Sequence, residues 1–224
     1  MQKNIVIFGS TGMLGQALVI ESLEDNRIGS ILLINRKPSG VTNPKIKEII
    51  HSDFYDFSAI SHEFIGIDAC FFCLGTSAVG KNEAKYHRIT YDLTLEVATR
   101  LKGVAPEASF IYISGAGTDS SAKGRVMWAR VKGKTENMLI DTFNQAYMFR
   151  PGYIQPAKGV VSSTNWYRWI YKCIGFLYPV IRRVFKNSVM TSEQLSHAML
   201  NAAFKGYHRK IIEVRDVLNL AAAK

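Results

Sequence analysis

Gly9, Gly12 and Gly15 stand three residues apart, immediately behind the apolar run Ile5-Val6-Ile7-Phe8 and just ahead of Ala17, Leu18 and Leu23 at helical spacing. A short apolar run that ends in glycines and passes into helical periodicity reads as strand, tight turn, helix. Each glycine has a physical reason to be there. Gly9 permits the turn, Gly12 lets backbone approach a bound diphosphate with no Cβ in the way, and Gly15 lets the helix pack closely on the strand. The N–H groups that open such a helix carry its partial positive charge and suit an anion. Gly9, Ser10, Thr11, Gly12, Met13, Leu14 and Gly15 are therefore the candidate phosphate-binding segment, spaced G-x-x-G-x-x-G instead of G-x-G-x-x-G.

The alternation continues down the chain. Strands are expected at 30–34, 46–50, 68–74, 109–114 and 146–150, the last stopped by Pro151-Gly152, with helices at 82–101 and 124–141 between them. Thr191-Ser192-Glu193-Gln194 has the form of a capping box opening a helix to residue 205, followed by a strand at 210–214 and a short terminal helix capped by Asp216. Apolar strands alternating with helices predict an α/β fold: a doubly wound, mostly parallel sheet with helices on both faces. The 224 residues are 47% hydrophobic and show no fixed repeat, so one domain is expected over 1–224. Within it, 1–150 is the nucleotide-binding core and 151–224 a C-terminal portion facing substrate or partner.

Which nucleotide is expected follows from the second strand. It ends at Asn35-Arg36-Lys37, about twenty residues past the glycines, where an NAD site would place Asp or Glu on the ribose hydroxyls. Arg36 and Lys37 offer cations for a 2′-phosphate instead, and Arg can grip it with two bonds, so NADP(H) is the expected cofactor. The formal net charge of +10 agrees with an anionic ligand without choosing among nucleotide, nucleic acid and lipid.

The glycine turn, Ser52-Asp53-Phe54, Cys73-Leu74-Gly75-Thr76, Tyr112-Ile113-Ser114-Gly115, Val131-Lys132-Gly133-Lys134-Thr135-Glu136 and Phe149-Arg150-Pro151-Gly152-Tyr153 occur in this order. Together they resemble the atypical branch of the short-chain dehydrogenase/reductases, NAD(P)-binding Rossmann proteins akin to the NAD-dependent epimerase/dehydratases, and within it the group around the Tat-interactive oxidoreductase. The resemblance spans nearly the whole chain. It implies that Asp53 accepts from the adenine amino group and Phe54 lines that pocket, that Leu74, Gly75 and Thr76 run beside the cofactor ribose, and that Pro151, Gly152 and Tyr153 pass the nicotinamide amide. It also implies that Ser114 polarises a substrate and Lys132 holds the nicotinamide ribose.

One position departs from that pattern. The family uses Tyr-x-x-x-Lys, one helical turn apart, so that the ammonium lowers the phenol's pKa for proton transfer. This chain reads Trp128-Ala129-Arg130-Val131-Lys132. An indole N–H donates a hydrogen bond but exchanges no proton at useful pH, so Trp128 cannot be the general acid. Two readings stay open: carbonyl reduction of an unidentified small molecule with Tyr86, His87, Tyr91 or Tyr153 as proton source, or a regulatory module that binds NADP(H) without turnover. Arg130, on another helical face, is expected to be solvated.

Other chemistries are poorly supported. Cys70 and Cys73 are expected on opposite faces of a strand, where they cannot share a tetrahedral metal. His51, His62, His197 and His208 are read as surface residues without metal-ligand spacing or acidic companions, so no metal is expected. No G-x-S-x-G hydrolase turn appears. The aromatic, basic stretch 166–186 is interrupted by Arg168, Lys172 and Arg182, too often for a membrane span of about 20 apolar residues. It is expected to form a flap over a cleft or a homodimer face, with a peripheral membrane or protein contact as the other use. Nucleic acid binding has no recognition motif behind it. The N-terminus runs straight into the first strand with no export signal, which makes a cytoplasmic protein the expectation.

Overall fold

The computed structural model describes residues 1–156 and 189–223, and in it the opening apolar run becomes β1 (Lys3–Phe8). The strands that follow are β2 (Ile28–Asn35), β3 (Ile46–Ile50), β4 (Ala69–Phe72), β5 (Ser109–Ile113), β6 (Ala146–Arg150), β7 (Tyr153–Gln155), β8 (Val189–Thr191) and β9 (Ile211–Glu213). Seven of them form one sheet in the order β3-β2-β1-β4-β5-β6-β9, and every neighbouring pair is parallel. β7 and β8 form a separate parallel pair. The order reverses at β1, whose two neighbours β2 and β4 lead the chain away in opposite directions. In such sheets a crevice opens at that point, outside the carboxyl ends of the strands.

Burial explains the central position of β1. Ile5, Val6, Ile7 and Phe8 are all fully buried because the sheet is covered on both faces. Side chains alternate between those faces. Ile5, Ile7, Leu33, Phe71, Ile111 and Phe149 belong to one hydrophobic layer, and Val6, Phe8, Leu32, Phe72, Phe110 and Met148 to the other. The first layer is closed by α1 (Met13–Glu24), α5 (Ser192–Lys205) and α6 (Val214–Ala222), which contribute Leu18, Leu195, Met199 and Val217. The second is closed by a 3₁₀ turn (Ser58–Phe64), α3 (Leu93–Val104) and α4 (Met127–Thr142), through Phe64, Val97, Leu101 and Leu139.

Two helices differ from expectation. The helix expected over 82–101 is divided: α2 (Glu83–His87) passes through a π turn (Arg88–Asp92) before α3 begins. Tyr86, Thr90, Leu93, Thr94 and Val97 all face inward across this turn, and the Thr94 hydroxyl donates to the carbonyl of Thr90 at 2.6 Å. The terminal helix is capped from inside its first turn, where Asp216 Oδ2 accepts from the backbone N–H of Glu213 at 3.2 Å. The capping box at α5 forms as the sequence suggests, with Thr191 Oγ1 accepting from Gln194 N–H at 3.1 Å and Gln194 Oε1 from Thr191 N–H at 2.9 Å.

The C-terminal residues return to the core: β9 pairs with β6, and α5 packs against α1 and β5. The stretch expected at 166–186 lies outside the described residues. Among the described residues, no helix is long and apolar enough to cross a membrane.

Candidate functional site

The residues singled out from the sequence lie in one arc along the carboxyl edge of the sheet. At its centre Gly9 has a φ of +81°, which turns the chain from β1 into α1, and Gly12 N–H donates to the Gly9 carbonyl at 3.0 Å. A Cβ on Gly15 would lie 2.1 Å from the Gly9 carbonyl oxygen, so only glycine allows the helix to start this close to the strand. Gly12 is the N-cap and supplies no side-chain acceptor, and the first turn of α1 holds no acidic residue. The opening N–H groups have no partner within their helix and face the crevice. Ser10 is turned inward and Thr11 outward. The β4 loop runs alongside, and Leu74 Cδ2 would lie 3.0 Å from a Cβ on Gly9. A Cβ at Gly75 or Gly115 would meet nothing within 4 Å, so both loops present bare backbone to open space.

At the β2 end, Asn35 is buried and engaged. Its amide donates to Ser10 Oγ and to Glu48 Oε1, each at 2.7 Å, and the Ser10 hydroxyl donates back to Asn35 Oδ1 at 2.9 Å. Glu48 Oε1 also accepts from Ser39 N–H at 2.9 Å. A carboxylate is therefore present after all, but it comes from β3 and is consumed in fastening the turn after β2. Arg36 and Lys37 are exposed, with the Arg36 guanidinium 5.8 Å from the centre of the Phe54 ring. Phe54 is buried beneath it, and exposed Asp53 uses Oδ1 to accept from Tyr55 N–H at 2.9 Å.

The β5 end is built on buried charge. Ser114 is buried, and its hydroxyl donates to Glu136 Oε1 at 2.5 Å. Glu136 is fully buried on α4 and also takes two bonds from the Arg150 guanidinium, at 3.0 and 2.5 Å. Arg150 continues to Ser120 Oγ at 2.6 Å and to Glu213 Oε1 at 3.3 Å. Burial works against the Arg150 charge, but the bonds and charges of Glu136 and Glu213 outweigh it and raise its pKa. One turn before Glu136, the Lys132 ammonium donates to the Ser114 carbonyl. Burial lowers the Lys132 pKa to about 8, with the Glu136 carboxylate opposing the fall. The Ser114 hydroxyl is thus engaged within this network. The Trp128 indole leans over the loop that follows β5, its Cη2 3.6 Å from where a Gly117 Cβ would stand. Pro151 joins the same neighbourhood, its carbonyl accepting from Ala116 N–H at 2.9 Å.

The four alternative proton sources separate. Tyr86 is buried and lines a small cavity with Lys132, Leu74, Thr76 and Tyr112, and burial raises its pKa against a bond from Thr90. His87 and Tyr91 stack on each other at 4.7 Å, with His87 Nδ1 3.2 Å from Asp92 Oδ1 and Lys134 above Tyr91. Half-buried Tyr153 donates to Gln155 Oε1 at 3.1 Å, beside Pro151 and Gly152.

Two sequence readings need correction. Arg130 is not merely solvated: it pairs with Glu83 at 2.7 Å and donates to the Gly124 carbonyl at 2.5 Å, tying α4 to α2. His197 does have acidic companions, since its Nε2 lies 2.6 Å from Glu21 Oε2 and Glu193 stands four residues before it. The sequence reading also gave Glu136 no role, although the four-residue spacing from Lys132 puts both on one helix face.

No protein-family profile matches the chain. It is 28% identical over 160 residues to "Protein FMP52, mitochondrial" of Chaetomium globosum, covering 69% of this chain and 66% of that one. It is 27% identical over 157 residues to "Protein HTATIP2" of Rattus norvegicus, covering 68% and 63%. The chain is a relative of FMP52 and HTATIP2. This bears out the resemblance to the Tat-interactive group, and the matched part spans about two-thirds or less of those relatives' length. Among solved structures, the Bordetella bronchiseptica enzyme WbmF in complex with NAD+ superposes with a TM-score of 0.69 at 14% identity, over 97% of this chain and 77% of that one. That likeness establishes the Rossmann-type α/β fold. The cytoplasmic expectation is overturned by the relatives, since FMP52 carries "mitochondrial" in its name.

Proposed function

We propose that this chain binds a nicotinamide dinucleotide along the carboxyl edge of its sheet, as WbmF binds NAD+, and that it takes NADP(H) in preference to NAD(H). The residues fit such a group. Gly9, Ser10, Thr11, Gly12, Met13, Leu14 and Gly15 would hold the diphosphate on backbone N–H groups. Arg36 and Lys37 would take the 2′-phosphate, with Arg36 and Phe54 bracketing the adenine beside Asp53. Leu74, Gly75, Thr76 and Lys132 would line the ribose next to the nicotinamide, and Pro151, Gly152 and Tyr153 its amide. Residues beyond Pro151 would form the side facing substrate or partner. The observation that carries this reading is the uncapped start of α1 beside an exposed Arg36, with no free acid at the end of β2.

The bound group would supply hydride chemistry. What the chain itself offers for turnover is limited: Trp128 exchanges no proton, and Ser114 is committed to Glu136. These two facts favour the second reading, a module that binds the dinucleotide without turning it over. Thermal unfolding with NADPH, NADP, NADH and NAD at matched concentration tests the binding. A ligand at about 100 times its dissociation constant adds roughly 2.7 kcal/mol, so the phosphorylated forms should raise the melting temperature by several degrees and the others less. Arg36→Ala should erase that difference. No shift with any of the four would remove the proposal. NADPH consumption across a panel of aldehydes and ketones decides between the readings, and sustained turnover would reject the binding module.

A further inference from the structure

A cleft of about 610 Å³ lies between α1, α5 and α6, apart from every residue assigned above. On its wall stand Glu21 from α1 and Glu193 and His197 from α5. Glu193 and His197 are four residues apart and so share a helix face. His197 Nε2 is 2.6 Å from Glu21 Oε2, and the donor atoms of all three groups lie within 4.8 Å of one another. Glu21 is held at the packed contact between the two helices, its side chain 16% exposed, while His197 is 46% exposed and opens to the cleft. Glu24 and Asp25 add two more carboxylates to this wall, although the chain as a whole carries +10. Arg27, the nearby guanidinium, is already engaged by Asp25 at 2.6 Å and by Asn201 at 2.8 Å.

We propose that Glu21, Glu193 and His197 form a binding site for a zinc-class divalent cation, with the cleft supplying its open coordination side. One imidazole and two carboxylates make a borderline donor set that suits zinc and its neighbours better than magnesium or calcium, which prefer all-oxygen shells. Bonds of about 2.0–2.2 Å require the three donors to draw together around the ion, and exposed Glu193 has the rotamer freedom to do it. Two ligands on one helix and one on another, packed against it, set the site on rigid elements. Without metal, the same atoms make the His197–Glu21 contact. Among the described residues, the other charges facing the cleft are Glu24, Asp25 and Arg27 from α1 and its following turn and Lys205 from α5, while α6 contributes alanines.

The test is calorimetric titration of Zn²⁺ into the chelator-treated full chain free of any affinity tag, repeated with Co²⁺ for its visible spectrum and with Mg²⁺. One Zn²⁺ per chain is expected, with a Co²⁺ spectrum of low coordination number. His197→Ala and Glu193→Gln should each weaken binding about tenfold or more. Both positions are exposed, so the variants should unfold at the parent temperature in chelator. Absence of saturable Zn²⁺ binding overturns the site, as does undiminished binding in His197→Ala or equal uptake of Mg²⁺.

Discussion

The two ends of the sheet's carboxyl edge are made from different materials. Around β1 and β2 the chain presents bare backbone, with a left-handed glycine and an uncapped helix start, and one exposed cation over an aromatic ring. Around β5 and β6 it buries charge, with Ser114, Glu136 and Arg150 bonded to one another beneath the surface and Trp128 laid over the loop. The first end has the features of a surface made to receive an anion. The second is knit for stability, and the hydroxyl that would face a substrate is spent inside it. One sheet edge can thus leave its backbone open at one end and bury its charges at the other.

The contrast can be broken most forcefully at Glu136. Glu136→Ala leaves the Arg150 guanidinium buried without its main carboxylate and should cost about 3–5 kcal/mol, read as a loss of denaturation midpoint. A change below about 1 kcal/mol would show that the β5 end is not held together by this network. Gly15→Ala comes next. The overlap with the Gly9 carbonyl forces strand and helix apart, at a cost of about 3 kcal/mol. Nucleotide-dependent stabilisation should disappear with it, which separates the β1 end from the β5 end, where that stabilisation should survive.

Lys132→Met sharpens the comparison through pH. The folded-state pKa of about 8 lies below the ordinary lysine value of 10.5, so between these values the unfolded chain binds more protons and parent stability rises with pH. Below pH 8 the parent carries the full penalty of a buried ammonium. The variant lacks it, so its stability relative to the parent should be greatest near pH 7 and fall by on the order of 3 kcal/mol toward pH 10.5. Denaturant midpoints at the two pH values measure this, and a pH-independent difference would contradict the burial of the ammonium. The smallest effect is expected from Trp128→Tyr. Restoring a phenol one turn before Lys132 should leave stability within about 1 kcal/mol and produce at most slow NADPH consumption, because Ser114 remains tied to Glu136.

Much of the architecture could be read beforehand because it rests on short-range regularities. Runs such as Ile5-Val6-Ile7-Phe8 mark strands buried on both faces, and Thr191 with Gln194 marks a helix start through contacts three residues apart. The glycine turn was legible for the same reason. What escaped depends on distant partners or on the direction of one side chain. Nothing near Ser114 tells that its hydroxyl turns toward Glu136, and Glu136 meets Arg150 only because α4 lies across β6. Asn35 was visible as the residue where an acid was missing, but Glu48 reaches it from the neighbouring strand. His197 meets Glu21 across 176 positions of sequence, beyond any spacing rule.

The π turn at Arg88–Asp92 gives this region one residue of slack. Five residues there turn about as far as four would in an α-helix, so removing one would let an unbroken α-helix run through the segment with the turns on either side keeping their facing. Tyr86 would stay in the interior and Glu83 within reach of Arg130. The same deletion inside α3 has no such slack and would swing everything upstream by about 100° around the axis. A single-codon deletion at 88–92 should therefore be far milder than one a turn or two further along.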